Sequence, residues 1–127
     1  RFSDPAGIAL STEGVIFVCD SGNYRIQAFT VQGEFLYALD SGADSFDKPR
    51  GIIVDRSGNI LFSDDSARVY KYSPDGVLMA DFGVFGEKQG ELRSPAGLSV
   101  GREGMIYVAD SYNHRIQRFR REQSYSL

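Results

Sequence analysis

The chain contains nearly the same ten residues twice. DSGNYRIQAF occupies positions 20–29 and DSYNHRIQRF occupies positions 110–119, and seven of the ten letters agree. A third, more divergent copy lies between them and is found by aligning Pro5, Pro49 and Pro95, which are 44 and 46 residues apart. Internal repetition with a period in this range is typical of architectures built by stacking one structural unit.

Several residue types recur at fixed places in all three units. The shared positions are the glycines Gly7, Gly51 and Gly97, a second set of glycines Gly14, Gly58 and Gly104, the aspartates Asp20, Asp64 and Asp110, the arginines Arg25, Arg68 and Arg115, and the aromatics Phe29, Tyr72 and Phe119. The glycines fit turns. We expect each aspartate to hold its own loop through backbone N–H groups rather than to act as one of a pair of catalytic carboxylates. We expect each arginine to make an internal ion pair or carbonyl hydrogen bonds rather than a phosphate contact.

Short apolar runs indicate that the units are made of strands. Residues 15–19, 60–63 and 105–109 are rich in β-branched and aromatic side chains, and turn-forming sequences separate them. These runs do not alternate apolar with polar residues, which is typical of strands covered on both faces. The sequence therefore predicts an all-β fold in which each unit is one four-stranded antiparallel blade of a β-propeller.

We predict that the whole chain, residues 1–127, is a single domain of about three blades. Blade 1 is expected at about 5–44, blade 2 at about 49–90, and blade 3 at about 95–127 with its last strand only partial. Three stacked blades leave an uncovered face at each end. We therefore expect either that the chain is a piece of a longer protein, since it begins with Arg1 rather than Met, or that a second copy covers these faces in a homodimer.

The repeated unit resembles the NHL repeat. Its pattern is P-x-G, then G-x-I-[FYL]-V-x-D, then N-[HY]-R-I-Q-x-F, and residues 113–116 read Asn-His-Arg-Ile. The glycine-spaced segment 83–95 is similar to the connector that precedes such a repeat, whereas residues 64–68 of the middle copy lack the Asn-His pair. The resemblance is greatest to the NHL domain of tripartite-motif (TRIM-NHL) proteins, many of which are ubiquitin ligases. It implies a six-bladed propeller, of which this chain would be half.

One rim of the predicted propeller carries the candidate binding residues. The turn between the second and third strands of each blade meets the connectors between blades at this rim. The candidates are Asn23, Tyr24, Lys48, Arg50, Arg93, Tyr112, Asn113 and His114. The rings of Tyr24, Tyr112 and His114 could stack on bases, fill a partner's pocket or pack against the next blade. The basic residues could form a phosphate-binding patch, although neighbouring aspartates would weaken it.

Catalysis has little support in the sequence. His114 is the only histidine, and the chain lacks the Gly-Lys-[Ser/Thr] sequence of a phosphate-binding loop. We therefore expect no catalytic residues, no metal and no cofactor, and any ligase activity would lie in other parts of the parent protein. The single cysteine, Cys19, and the lack of a long apolar run favour a cytoplasmic location without membrane contact.

Two binding functions fit these observations. The first is recognition of a protein partner through the loop rim, as substrate or cargo of a TRIM-type ubiquitin ligase. The alternative is binding of single-stranded RNA by the same rim, which the resemblance implies for RNA-regulating NHL proteins. The net charge of −3 favours the protein partner, because the chain lacks the overall basic field of a typical nucleic-acid binder.

Overall fold

Among the residues that the structure describes, twelve strands form three four-stranded antiparallel sheets. The computed structural model describes residues 2, 5–40, 46–66, 68–82, 84–85, 91–92, 95–101, 105–110, 115–120 and 123–126. Blade 1 contains β1 (Pro5–Leu10), β2 (Val15–Asp20), β3 (Arg25–Thr30) and β4 (Phe35–Asp40). Blade 2 contains β5 (Pro49–Val54), β6 (Ile60–Asp64), β7 (Val69–Tyr72) and β8 (Leu78–Phe82). Blade 3 contains β11 (Pro95–Val100), β12 (Ile106–Asp110), β13 (Arg115–Arg120) and β14 (Gln123–Ser126).

Three shorter elements, two strands and one 3-10 turn, are also present in the described part of the chain. The two-residue strands β9 (Val84–Phe85) and β10 (Glu91–Leu92) pair in parallel between blades 2 and 3. Ser21–Asn23 forms a single 3-10 turn between β2 and β3. Among the residues that the structure describes, no helix has the length and apolar character needed to cross a membrane.

Each blade is a simple meander in which consecutive strands are hydrogen-bonded neighbours. The turns between strands use the residues that the repeats share. Gly14 and Gly58 occupy the same place between the first and second strands of blades 1 and 2, with φ of 82° and 85°. A side chain would be strained in this left-handed region, which explains why glycine recurs there.

The first strands of the three blades lie side by side. β5 of blade 2 contacts β1 of blade 1 on one side and β11 of blade 3 on the other. The approach is so close that a β-carbon on Gly7 would overlap the carbonyl oxygen of Arg50. This order, with first strands adjacent and later strands farther out, is the radial arrangement of propeller blades, as the sequence predicted.

The main core lies between blades 1 and 2. Its buried members are Phe17, Cys19, Ile26, Ala28 and Leu39 of blade 1, Phe46 of the connector, and Ile52, Ile60, Phe62, Tyr70 and Tyr72 of blade 2. A second cluster joins blades 2 and 3 and contains Leu61, Val69, Ile106 and Val108. Because blade 2 is covered on both sides, all five residues of β6 are buried. This double coverage is the reason that the strand sequence does not alternate.

Candidate partner-binding rim

One rim of the molecule is built where blade 1 meets blade 2. The Ser21 hydroxyl of the β2–β3 turn donates a hydrogen bond to the carbonyl oxygen of Pro49, at the start of β5. On blade 2, the N–H of Asp65 donates to the carbonyl oxygen of Lys48 at 3.1 Å. The turn of blade 1, the connector and the β6–β7 turn therefore form one continuous surface. We call Asn23, Tyr24, Lys48, Arg50 and Asp65 on this surface the junction rim.

Tyr24 is the exposed aromatic residue of the junction rim. Its backbone has φ 55° and ψ 45°, and its N–H donates to the carbonyl oxygen of Ser21 at 3.1 Å. A left-handed conformation is uncommon for a residue with a bulky side chain and costs free energy. The side chain remains 43% exposed, and Lys48 Nζ lies 5.9 Å from the centroid of its ring. Tyr24 therefore contacts the next blade's connector through a cation–π interaction and still presents its ring to solvent.

The Asp20 carboxylate holds the turn that carries Tyr24. Asp20 is fully buried, and its Oδ2 accepts hydrogen bonds from Asn23 Nδ2 at 3.0 Å, Arg25 Nε at 2.8 Å and Gln27 Nε2 at 2.9 Å. Asn23, a candidate binding residue, thus has its amide engaged within the turn. Arg25 contributes an internal ion pair to the same network.

Asp64 occupies the same repeat position in blade 2, and its carboxylate accepts hydrogen bonds from the turn that follows it and from the connector. Its Oδ1 accepts from the Ser66 hydroxyl at 2.7 Å and from the N–H groups of Ser66 and Arg68 at 3.1 and 3.2 Å. Its Oδ2 accepts from the N–H of Asp47 at 2.8 Å, which ties the connector to blade 2. Arg68 in turn forms an ion pair with Asp81, with Nη2 2.9 Å from Oδ1.

The positive charge of Arg50 is paired on the rim. Its Nε lies 2.9 Å from Asp65 Oδ1, and its Nη2 donates to Asp65 Oδ2 at 3.1 Å, so the pair is bidentate. Both side chains are partly exposed, at 36% and 40%. The pair has no net charge, and the junction rim is therefore a mixed surface rather than a basic patch.

Some candidate residues lie outside the described residues. These are Arg93, Tyr112, Asn113 and His114. Asp110 and Arg115 are opposite each other in the pairing of β12 with β13. Among the residues that the structure describes, there is no group of three or more His, Cys, Asp or Glu side chains that could hold a metal ion.

Sequence reasoning missed the part played by Phe46. Its place before Pro49 puts it among the rim connectors, but it is only 2% exposed and packs between the blades, with its ring centroid 4.8 Å from that of Phe62. A signal was present, because Phe2, Phe46 and Leu92 each stand three residues before the proline of a repeat. A large apolar residue at a fixed repeat position indicates packing.

The repeats match a known family model. The NHL repeat model matches residues 2–29 and 92–119, which begin at Phe2 and Leu92 and extend through the third strand of blades 1 and 3. The repeats of blades 1 and 3 therefore match the NHL repeat, whereas the match does not include blade 2. The predicted resemblance to TRIM-NHL proteins is also confirmed, because the curated relatives of the chain are proteins of that class.

Curated relatives share NHL repeats with this chain over a small part of their own length. The chain is 27% identical over 116 residues to the protein brain tumor of Drosophila melanogaster, which covers 87% of this chain and 11% of that protein. It is 44% identical over 46 residues to the B-box type zinc finger protein ncl-1 of Caenorhabditis elegans, covering 36% of this chain and 5% of that protein. It is 47% identical over 45 residues to the E3 ubiquitin-protein ligase TRIM71 of Rattus norvegicus, covering 35% of this chain and 5% of that protein.

Solved β-propeller structures confirm the fold class. The chain superposes on a structure of a nidogen/laminin complex with a TM-score of 0.81 and 23% identity, covering all of this chain and 49% of that one. It superposes on streptogramin B lyase with a TM-score of 0.80 and 20% identity, covering 98% of this chain and 40% of that one. At these identities the similarity shows the β-propeller fold alone, and the NHL repeats support an interaction module.

Proposed function

We propose that this chain is part of a non-catalytic propeller module that binds a protein partner through the junction rim. In a TRIM-NHL protein such a module would select the substrate or cargo of a ubiquitin ligase, and one relative is named as an E3 ubiquitin-protein ligase. Binding residues on rigid scaffolds concentrate in loops, and the junction rim is composed of loops that are hydrogen-bonded to two blades.

The observation that carries the proposal is the exposure of the Tyr24 ring on a constrained backbone. A tyrosine with few rotatable bonds loses little conformational entropy on binding and offers both apolar area and a hydroxyl group. The αL backbone and the contact with Lys48 hold the ring in place before a partner arrives. Interface hot spots are rich in tyrosine and arginine, and both residue types lie together on the junction rim.

The charges of the junction rim favour a protein partner over RNA. Arg50 is neutralised by Asp65, so Lys48 is the one cation of the rim without a carboxylate partner among the residues that the structure describes. RNA-binding surfaces obtain most of their affinity from several cations that contact phosphates. A mixed surface with an aromatic anchor instead matches the composition of protein interfaces.

The test is capture of proteins from a ribonuclease-treated cell extract by the immobilised chain. Tyr24→Asn removes the ring while retaining a residue that tolerates the left-handed backbone. We expect this variant to bind the captured partner at least about tenfold more weakly, as is typical of losing an aromatic hot spot. Val77→Ala is the matched control, because Val77 is 62% exposed on the turn between β7 and β8.

A second measurement distinguishes RNA from protein. Binding of the chain to a mixed pool of single-stranded RNA oligonucleotides is measured at increasing salt concentration. We expect weak binding that Tyr24→Asn does not change. Tight binding whose logarithm falls with the logarithm of salt concentration, at about −0.7 per phosphate contact, would overturn the proposal in favour of RNA.

A further inference from the structure

The two side chains that meet at the junction rim are not part of the shared repeat. The residue before the repeat arginine is Tyr24 in blade 1 but Ala67 in blade 2. The residue before the repeat proline is Lys48 ahead of blade 2 but Ser94 ahead of blade 3. Blades 2 and 3 nevertheless pack together through a buried apolar cluster. Stacking of one blade on the next therefore needs neither an aromatic ring nor an ammonium group at these two positions.

The charge of Lys48 is not neutralised within the rim. Its Nζ lies 5.9 Å from the centroid of the Tyr24 ring, and no ion pair joins it to a carboxylate of a described residue. Both carboxylate oxygens of Asp65 are bound by Arg50, at 2.9 and 3.1 Å. Asp47 uses one of its oxygens to accept the backbone N–H of Lys48, at 2.8 Å. The rim thus offers one ammonium group that is available for a partner's carboxylate.

The ring and the ammonium group are held in place before binding. The turn that carries Tyr24 is fixed by the buried Asp20 carboxylate, and its connection to the connector is fixed by the hydrogen bond from Ser21 to Pro49. A lysine side chain normally loses much of its rotamer freedom when it forms an ion pair. Because Lys48 already contacts the ring, part of this loss has occurred in the unbound chain.

We infer that the partner presents a protein segment in which one acidic residue lies beside an apolar residue. The carboxylate pairs with Lys48 Nζ, and the apolar side chain packs on the exposed Tyr24 ring. One carboxylate fits this surface better than an acidic run, because the negative charge of Asp47 adjoins Lys48 and would repel further carboxylates. The inference rests on the proposed function, since it specifies the partner of the same rim.

The experiment selects binders from a phage-displayed library of random short peptides on the immobilised 127-residue chain. We expect the retained peptides to be enriched in Asp or Glu next to an apolar residue, relative to the unselected library, and Tyr24→Asn to remove this enrichment. Lys48→Glu should reverse the preference towards Lys and Arg. Lys48→Gln should remove the acidic preference without reversing it, and this variant adds no carboxylate beside Asp47 that could destabilise the fold.

Arg56→Glu is the matched control for the charge reversal. It changes the net charge of the chain by the same amount as Lys48→Glu. Arg56 is exposed on the turn between β5 and β6, at the opposite end of the strands from the junction rim. We expect this variant to retain the acidic preference of the wild type, because the preference depends on one ammonium group rather than on the net charge.

Fluorescence anisotropy then measures the ion pair directly. One enriched peptide is compared with its counterpart in which the acidic residue is replaced by Asn or Gln. On the wild type we expect the neutral peptide to bind about fivefold more weakly, as is typical of losing one partly exposed ion pair. On Lys48→Gln the two peptides should bind equally, because the cation that distinguishes them has been removed.

The outcomes separate this inference from the proposed function. Peptides that depend on Tyr24 but show no acidic preference overturn the inference and leave the proposed function standing. Peptides that Tyr24→Asn does not affect, or a selection that retains nothing above the bare support, overturn both. An acidic preference that survives in Lys48→Glu and Lys48→Gln, or that Arg56→Glu removes, also overturns the inference, because another cation or the net charge then accounts for it.

Discussion

At the scale of single residues, the repeated aspartates anchor the turns that follow them. Asp20 and Asp64 align, and both are buried. The Asp20 carboxylate binds the side chains of Asn23, Arg25 and Gln27. The Asp64 carboxylate binds backbone N–H groups, including that of the connector. Three side-chain donors converge on Oδ2 of Asp20, and N–H groups of Asp47, Ser66 and Arg68 converge on the carboxylate of Asp64, so each carboxylate holds the turn that follows it.

Asp20→Asn should destabilise the chain strongly. The change removes the charge that the Arg25 guanidinium pairs with and leaves donors facing one another in a buried site. We expect a loss of about 2–4 kcal/mol in the free energy of unfolding, measured by urea denaturation. Asp65→Asn is the matched control, since the Arg50–Asp65 pair is partly exposed and its loss should cost less than about 1 kcal/mol. Equal losses for the two variants would contradict the importance of burial.

The buried thiol of Cys19 should lower the free energy of unfolding at alkaline pH. Burial raises the pKa of its thiol from 9.0 to about 12, and the positive charge of Arg50 offsets only part of this rise. The folded chain therefore favours the protonated thiol. The contribution of this thiol to the free energy of unfolding is unchanged below pH 9.0 and is lost as the pH rises towards about 12. We expect the free energy of unfolding of the wild type to fall more steeply over this range than that of Cys19→Ala. Parallel curves for the two proteins would contradict the prediction.

At the scale of elements, the connector between blades is part of the core. Phe46 contacts three aromatic rings of blade 2, with centroid distances of 4.8 Å to Phe62, 5.9 Å to Tyr70 and 6.2 Å to Tyr72. The adjacent residues Asp47 and Lys48 lie on the rim. One short segment thus joins two blades and positions the cation that contacts Tyr24.

Phe46→Ala tests whether Phe46 stabilises the core between the blades or only lines the rim. Removing a buried ring between two blades leaves a cavity, and we expect a loss of about 3–5 kcal/mol in the free energy of unfolding. Phe2→Ala changes the same repeat position where the ring is 43% exposed, so the loss should be much smaller. Thermal and urea denaturation of both variants provide the measurement. A Phe46→Ala variant as stable as Phe2→Ala would contradict the conclusion that Phe46 is part of the core.

At the scale of the whole molecule, stability comes from stacking rather than from any blade alone. A four-stranded blade has two flat faces and too few residues to cover either, so each blade depends on its neighbour. Among the residues that the structure describes, blade 2 packs against blade 1 on one side and blade 3 on the other.

The order of residues along the chain was enough to predict the repeated unit, its four strands and the rim on which its loops meet. These follow from local chemistry: apolar runs, turn glycines such as Gly14 and the regular spacing of Pro5, Pro49 and Pro95. The packed structure was needed to show that Phe46 is core, that Arg50 is neutralised by Asp65, and that Ile8 is exposed while Ile52 is buried. The physical reason is that burial and pairing depend on which blade lies across each face, and the repeat pattern along the chain does not specify that neighbour.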